Sequence, residues 1–141
     1  MEVNRDVRKE ALSTIDTQQL VSFATLDGDQ PRVRTVTVIH LKDRYFIAAH
    51  AQDDKVTQIG SNPKSEFCLL TKRKDGFYQL RIECSAQIVD DKTIKSHVYD
   101  EISWMKDYFK APSDPAYSLI ELYPVKILYK KPGRQALHIE L

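Results

Sequence analysis

Residues 20–49 read LVSFATLDGDQPRVRTVTVIHLKDRYFIAA. Three runs rich in β-formers, 20–26, 32–41 and 45–49, are separated by short turn segments built on Asp27-Gly28-Asp29 and Lys42-Asp43. An Asp-Gly pair between such runs is a hairpin signal. Strands joined by turns this short are antiparallel neighbours, so the stretch predicts a three-stranded meander.

The pattern continues downstream. Residues 66–71 and 77–89 read as two more strands joined at Lys74-Asp75-Gly76. In the longer one, Tyr78, Leu80, Ile82, Cys84, Ala86 and Ile88 alternate with Gln79, Arg81, Glu83, Ser85 and Gln87. One face is apolar and the other is either solvated or lines a polar site. Residues 117–129 give a last long strand, where Pro124 implies a bulge or an unpaired edge, and the tail after Pro132-Gly133 can add a short strand. Helical spacing marks three segments. Val3, Val7, Ala11 and Ile15 recur every four residues. Residues 53–59 start at an acidic N-cap and stop at Gly60 before Asn62-Pro63. Residues 91–109 carry Ile94, Val98, Ile102 and Met105 on one side. The expectation is a mainly β, antiparallel sheet with a few helices, closed into a small barrel that leaves few open edges, in one domain over residues 1–141.

Composition narrows the function. Lys and Arg number 21 against 20 Asp and Glu, a net charge of +1, which leaves no electrostatic footprint for general nucleic-acid binding. The basic runs Lys72-Arg73-Lys74 and Lys130-Lys131 flank turns and read as solvated loops. No stretch reaches the ~20 apolar residues of a bilayer span, and the charged start Met1-Glu2-Val3-Asn4-Arg5-Asp6 has no leader-like apolar segment. Cys68 and Cys84 sit in strand runs without a C-x-x-C pair, which suits buried thiols in a reducing cytoplasm. His40, His50, His97 and His138 have no metal-ligand spacing, so no metal site is expected. There is no nucleophile elbow, H-E-x-x-H or P-loop, and Asp53-Asp54 and Asp90-Asp91 read as helix caps, which disfavours a hydrolase.

The suggestive feature is a basic cluster. Arg32 and Arg34 lie two apart on one strand face that Val36 and Val38 continue, and Lys55 falls in the first turn of the short helix. Free N–H groups and the helix dipole favour an anion there; arginine offers phosphate a planar fork and lysine a point charge. By pattern alone, surface charge on an edge strand stands beside this reading. Trp104 and Tyr108, four apart, read as core or interface packing.

The order of these pieces resembles the pyridoxamine-phosphate-oxidase-like flavin-binding split barrels, and most closely the general stress protein branch. The resemblance rests on Arg34-Thr35-Val36 in the second strand and on Ala48-Ala49-His50 ending the third. It continues with Lys55 opening a helix that ends at Asn62-Pro63, and with Gln79 five residues before Cys84. Trp104 to Phe109 and Asp114-Pro115-Ala116-Tyr117 complete it. It covers roughly residues 5–130.

The resemblance implies an antiparallel split β-barrel with flanking helices, working as a homodimer with FMN seated at the interface. Arg34 and Lys55, with Arg32 nearby, would serve the phosphate. Thr35, Val36, Thr37, Ala49 and His50 would lie along the ribityl chain and ring. Gln79, and with it Trp104, would reach in from the partner subunit. The activity implied is a flavin-dependent oxidoreductase with a nicotinamide donor and a small-molecule substrate. The alternatives are a flavin or haem binding module without turnover, and a barrel that has lost its cofactor and acts as a dimeric interaction protein. Three positions depart from the family pattern: Asp53 stands where a serine or threonine is usual, Ala49 where a threonine is, and Cys84 where a glycine is. A carboxylate beside a phosphate costs about 1–4 kcal/mol at ~4 Å, depending on the dielectric. The tail Arg134-Gln135-Ala136-Leu137-His138 lacks the tryptophan and arginine pattern of the true oxidases, so oxidation of pyridoxamine phosphate is not expected.

Overall fold

The computed structural model describes residues 2–141, with side chains from Arg5 onward, so the expected apolar contact of Val3 lies outside the described residues. Helix α1 (Glu2–Leu12) leads into β1 (Gln18–Asp27), β2 (Gln30–Leu41) and β3 (Arg44–His50). Then come α2 (Asp54–Ser61), β4 (Lys64–Arg73), β5 (Gly76–Ile88), α3 (Lys92–Glu101), α4 (Met105–Tyr108), β6 (Tyr117–Lys130) and β7 (Leu137–Glu140). The sheet runs β3-β2-β1-β4-β5-β6-β7, and an additional β3–β6 pairing closes it into a barrel. The fold is therefore the mainly β, antiparallel barrel that the alternation and turns predicted, and the split barrel that the resemblance implied.

Turn chemistry explains the meander. Gly28 turns between β1 and β2 at φ 64, and Lys42 and Asp43 turn between β2 and β3 at φ 47 and 63. That two-residue turn with both φ positive matches the twist of its strands, even without glycine.

Strand β6 explains the split. Residues Tyr117 to Leu122 pair with β3, whereas Lys126 to Tyr129 pair with β7. Between the two shares, Glu83 faces Lys126 and Cys84 faces Pro124, so Val125 is the extra residue of a bulge. Proline, with no N–H to donate, sits where the strand changes partners. At the β3–β6 join, Arg44 donates from Nε and Nη2 to the carboxylate of Glu121 at 2.8 and 2.6 Å, and the Tyr123 hydroxyl donates to the same group at 3.0 Å. Glu121 is buried, and this fork satisfies it.

Two cores result. Inside the barrel, Val21, Phe23, Val38, Ile47, Phe67, Leu80, Ile82 and Ile127 pack together, with Ala11 of α1 and Ile59 of α2 among them. Helix α1 enters the end where β1 begins, and α2 covers the end where β3 stops and β4 starts. Outside the barrel, α3, α4 and the residue after it lay Val98, Tyr99, Met105 and Phe109 on Ile39, Phe46, Tyr117 and Leu119.

The single helix expected over 91–109 is two helices. Asp91 caps α3 by accepting the N–H groups of Thr93 and Ile94. The chain leaves the helix at Ile102, at φ −107 and ψ 107, and restarts after Trp104. Ile94, Val98, Ile102 and Met105 all belong to the outer core, so the apolar period runs across a break it cannot reveal. Replacing the fully buried Phe67 by alanine is expected to cost about 3–5 kcal/mol in urea unfolding. A loss below about 1 kcal/mol would show that the barrel interior is not packed as described.

Candidate functional site

Where β3 runs out, its last residues meet the outer helices and the start of α2 around a cavity of about 480 Å³. Thr35 and Thr37 of β2 line it from the outer face of the sheet, flanking the backbone of Val36. Ala48, Ala49 and His50 supply the end of β3, and the small side chains of the two alanines leave room beside the strand. Trp104, Tyr108 and Phe109 form an aromatic wall with Asp107 beside them, and Asp53 and Lys55 stand at the α2 side. The volume is that of a small-molecule or cofactor site.

The wall is fixed from behind. Phe109 is buried; its ring centroid lies 5.0 Å from that of Tyr117 and 5.1 Å from that of His50. Its carbonyl accepts the Tyr99 hydroxyl at 2.7 Å. Asp114 accepts the N–H groups of Lys110 and Ala116 at 2.9 and 3.0 Å, which turns the chain from α4 into β6. Trp104 donates from Nε1 to Gln18 Oε1 at 2.7 Å and meets Tyr108 edge-on at 5.7 Å.

Lys55 is the only lysine or arginine among the described lining residues. Its ammonium lies 3.0 Å from Asp53 Oδ2, which also accepts the His50 N–H at 3.2 Å. Asp53 occupies the N-cap position of α2, as expected, but its side chain makes no capping bond to the helix. Partial burial pushes its carboxyl upward, yet Lys55 and the His50 N–H outweigh this and hold it below its ordinary value.

The structure thus gathers Thr35, Val36, Thr37, Ala49, His50, Lys55 and Trp104 around one cavity. The other three candidates lie elsewhere. Arg32 pairs with Asp27 on the surface at 3.3 Å. Arg34 points to the barrel side, where Nη1 donates to Thr25 Oγ1 at 2.8 Å and to the Phe23 carbonyl at 3.3 Å. Its Nη2 donates to Gln58 Oε1 at 2.9 Å, so it braces α2 against β1. Burial lowers its pKa from the ordinary value, against an upward pull from Asp54. Gln79 sits on the outer face of β5, where it donates to Cys68 Sγ at 3.8 Å. Trp104, expected to arrive from a partner, lines the cavity of its own chain. Sequence reading missed Asp107, Tyr108 and Phe109 as lining residues; the Trp104–Tyr108 spacing was the available signal, read as packing.

The comparisons with known proteins agree with this architecture. The pyridoxamine 5′-phosphate oxidase family pattern matches residues 7–131. The chain belongs to that family. General Stress Protein 26 from Bacillus anthracis str. Sterne is 27% identical, with a TM-score of 0.75 over 95% of this chain and 98% of that one. A NimC/NimA family protein from Clostridium acetobutylicum is 20% identical at a TM-score of 0.77, over 94% and 91% of the two chains. A heme binding protein from Mycobacterium smegmatis is 14% identical at a TM-score of 0.76, covering 93% of this chain and 56% of that one. The last two likenesses are likenesses of fold. No curated protein matches the chain.

Among the described residues no helix is long and apolar enough to cross a membrane, and no group of three or more His, Cys, Asp or Glu side chains is placed to hold a metal ion. Because the folded pKa of Asp53 is depressed, its pairing stabilises the fold above the unfolded value, 3.8, and is lost as pH falls through the lower folded value. Carboxyl NMR titration is expected to place the Asp53 midpoint below 3.8 and to show it rising in Lys55→Met. A midpoint indifferent to that substitution would break the pair.

Proposed function

We propose that this family member holds a flavin in the cavity at the end of β3 and acts as a flavin-dependent oxidoreductase on a small molecule, reduced by a nicotinamide donor. One observation carries the reading: a cavity of cofactor size, lined by threonines on one side and aromatic rings on another, with one cation at its edge. A bound flavin supplies the electron and hydride chemistry; the protein binds, orients and tunes it. Thr35 and Thr37 offer hydroxyls to the ring edge and ribityl chain. Ala48 and Ala49 let a flat ring approach the strand. Trp104, Tyr108 and Phe109 cover it and exclude water. The phosphate that FMN carries is less well served, since Lys55 is paired with Asp53 and Arg34 is engaged with Thr25 and Gln58.

The same reading makes the protein a homodimer. On the outer face of β2-β1-β4-β5, the register aligns Val33 with Ala24, Leu20 with Thr37 and Leu70 with Gln79. Leu20, Val33, Leu70 and Phe77 are each more than half exposed there. Apolar side chains this exposed on one sheet face support association with a second copy, which would carry Gln79 toward its neighbour's cavity. Both cysteines are free, consistent with a reducing, cytoplasmic setting.

A haem-holding module is the second reading, on the strength of His50 at the cavity, since imidazole is a common iron ligand. An absorption spectrum with each ligand added separates the two. The flavin reading predicts saturable quenching of flavin fluorescence and consumption of a nicotinamide donor once an acceptor is supplied. Protein that takes up haem and no flavin would overturn it, and flavin uptake without turnover would make it a carrier. Light scattering is expected to give a dimer that Val33→Glu with Leu70→Lys dissociates, weakening flavin uptake at least about tenfold. A wild-type monomer with full flavin affinity would refute the shared site.

A further inference from the structure

Lys55 does not face the cavity as an unpaired cation. Asp53 Oδ2 is 3.0 Å from its ammonium and 3.2 Å from the His50 backbone nitrogen. These two donors, at the cavity edge, are the ones a ligand's terminal anion would use. The carboxylate makes no bond to the first turn of α2, so capping does not account for its position. The geometry of the pair has a direction: the Lys55 side chain is 14% exposed and that of Asp53 42%. The cation is the buried member, and its counter-ion closes it off on the solvent side.

Arg34 adds an independent observation. As the second cation of this region, it would have to leave the Thr25 hydroxyl, at 2.8 Å, and Gln58 Oε1, at 2.9 Å, to reach an anion at the cavity. Gln58 and Lys55 are three apart, on one face of α2. Both cations are therefore engaged at this end of α2, Lys55 by the N-cap acid and Arg34 by an amide of the helix.

We infer that Asp53 is a built-in counter-ion occupying the anion seat, so that the cavity takes a flavin lacking a terminal phosphate, of the riboflavin class, in preference to FMN. The inference rests on the flavin reading of the cavity. A phosphate dianion entering the seat must displace the carboxylate from Lys55 and remain close to it, two like charges in a partly desolvated corner. A ribityl hydroxyl meets no such conflict: its O–H donates to Asp53 while the Asp53–Lys55 pair stays intact. Selectivity thus arises from a repulsive element set against the charged competitor.

The test uses the full chain as wild type, Asp53→Ser and Asp53→Asn, each titrated by fluorescence with riboflavin and with FMN. Wild type is expected to bind riboflavin at least as tightly as FMN. Both substitutions are expected to tighten FMN by about tenfold or more without tightening riboflavin. Wild type favouring FMN by about tenfold, with that ratio unmoved by either substitution, would overturn the inference. The same three proteins are titrated with inorganic phosphate, followed by the amide resonance of His50 and thermal melting. Phosphate binding that appears only in the variants supports the counter-ion even where no flavin binds, an outcome that removes the flavin reading and the riboflavin preference together. An equal phosphate response in all three proteins removes the counter-ion itself.

Discussion

Pairing of β3 with the first half of β6 is the constraint on which the molecule rests. Without it the strands form an open, curled sheet whose two edges are β3 and β7. With it the sheet closes, the edge of β3 is spent, and the end of β3 is held against the chain that follows α4. The Arg44–Glu121 fork locks one end of that ladder. At the other end, His50 faces Tyr117 and Ala51 donates its N–H to the Ala116 carbonyl at 2.8 Å. The cavity lies beside that second end, so barrel closure and site construction are one event in space. The bulge at Val125 makes this possible by letting one strand serve β3 and β7 in turn.

Electrostatics in the cavity follow from the same arrangement. The backbone N–H of His50 is left over at the strand end, and Lys55 arrives from the adjoining helix turn. An acid two residues before that lysine reaches both donors by a short side chain. Serine or threonine at position 53 would leave the lysine's charge for a ligand. The choice of residue at one position therefore changes the charge the cavity presents without altering its shape.

Much of the fold was legible because alternation and turn chemistry are local signals. The inward set on β5, from Leu80 to Ala86, is buried as its period predicts. Of the site, the residues on β2, on β3 and at the helix start could be read because they lie on elements whose ends the sequence marks. Arg34 could not be placed. Its strand face was correct, but its partner Gln58 is 24 residues distant, and no local rule weighs an amide on a helix against a ligand. The break between α3 and α4 was hidden for a related reason: Ile102 keeps the apolar period while leaving the helix. The Trp104–Tyr108 spacing could not be told from packing, because the role of Tyr108 and Phe109 as cavity wall depends on which side of that break packs on the barrel.

The β3–β6 ladder also has a kinetic meaning. Arg44 and Glu121 are 77 residues apart along the chain, whereas β1, β2 and β3 meet through turns of two residues. Hairpins of that kind form within microseconds, while long-range pairing waits on loop-closure entropy. The rung at His50 and Tyr117 belongs to the late class. A nascent or partly unfolded chain can thus own most of its strands and still own no cavity. The binding site is a property of the last stage of folding, and a ligand held there stabilises the closed barrel against reopening at that seam.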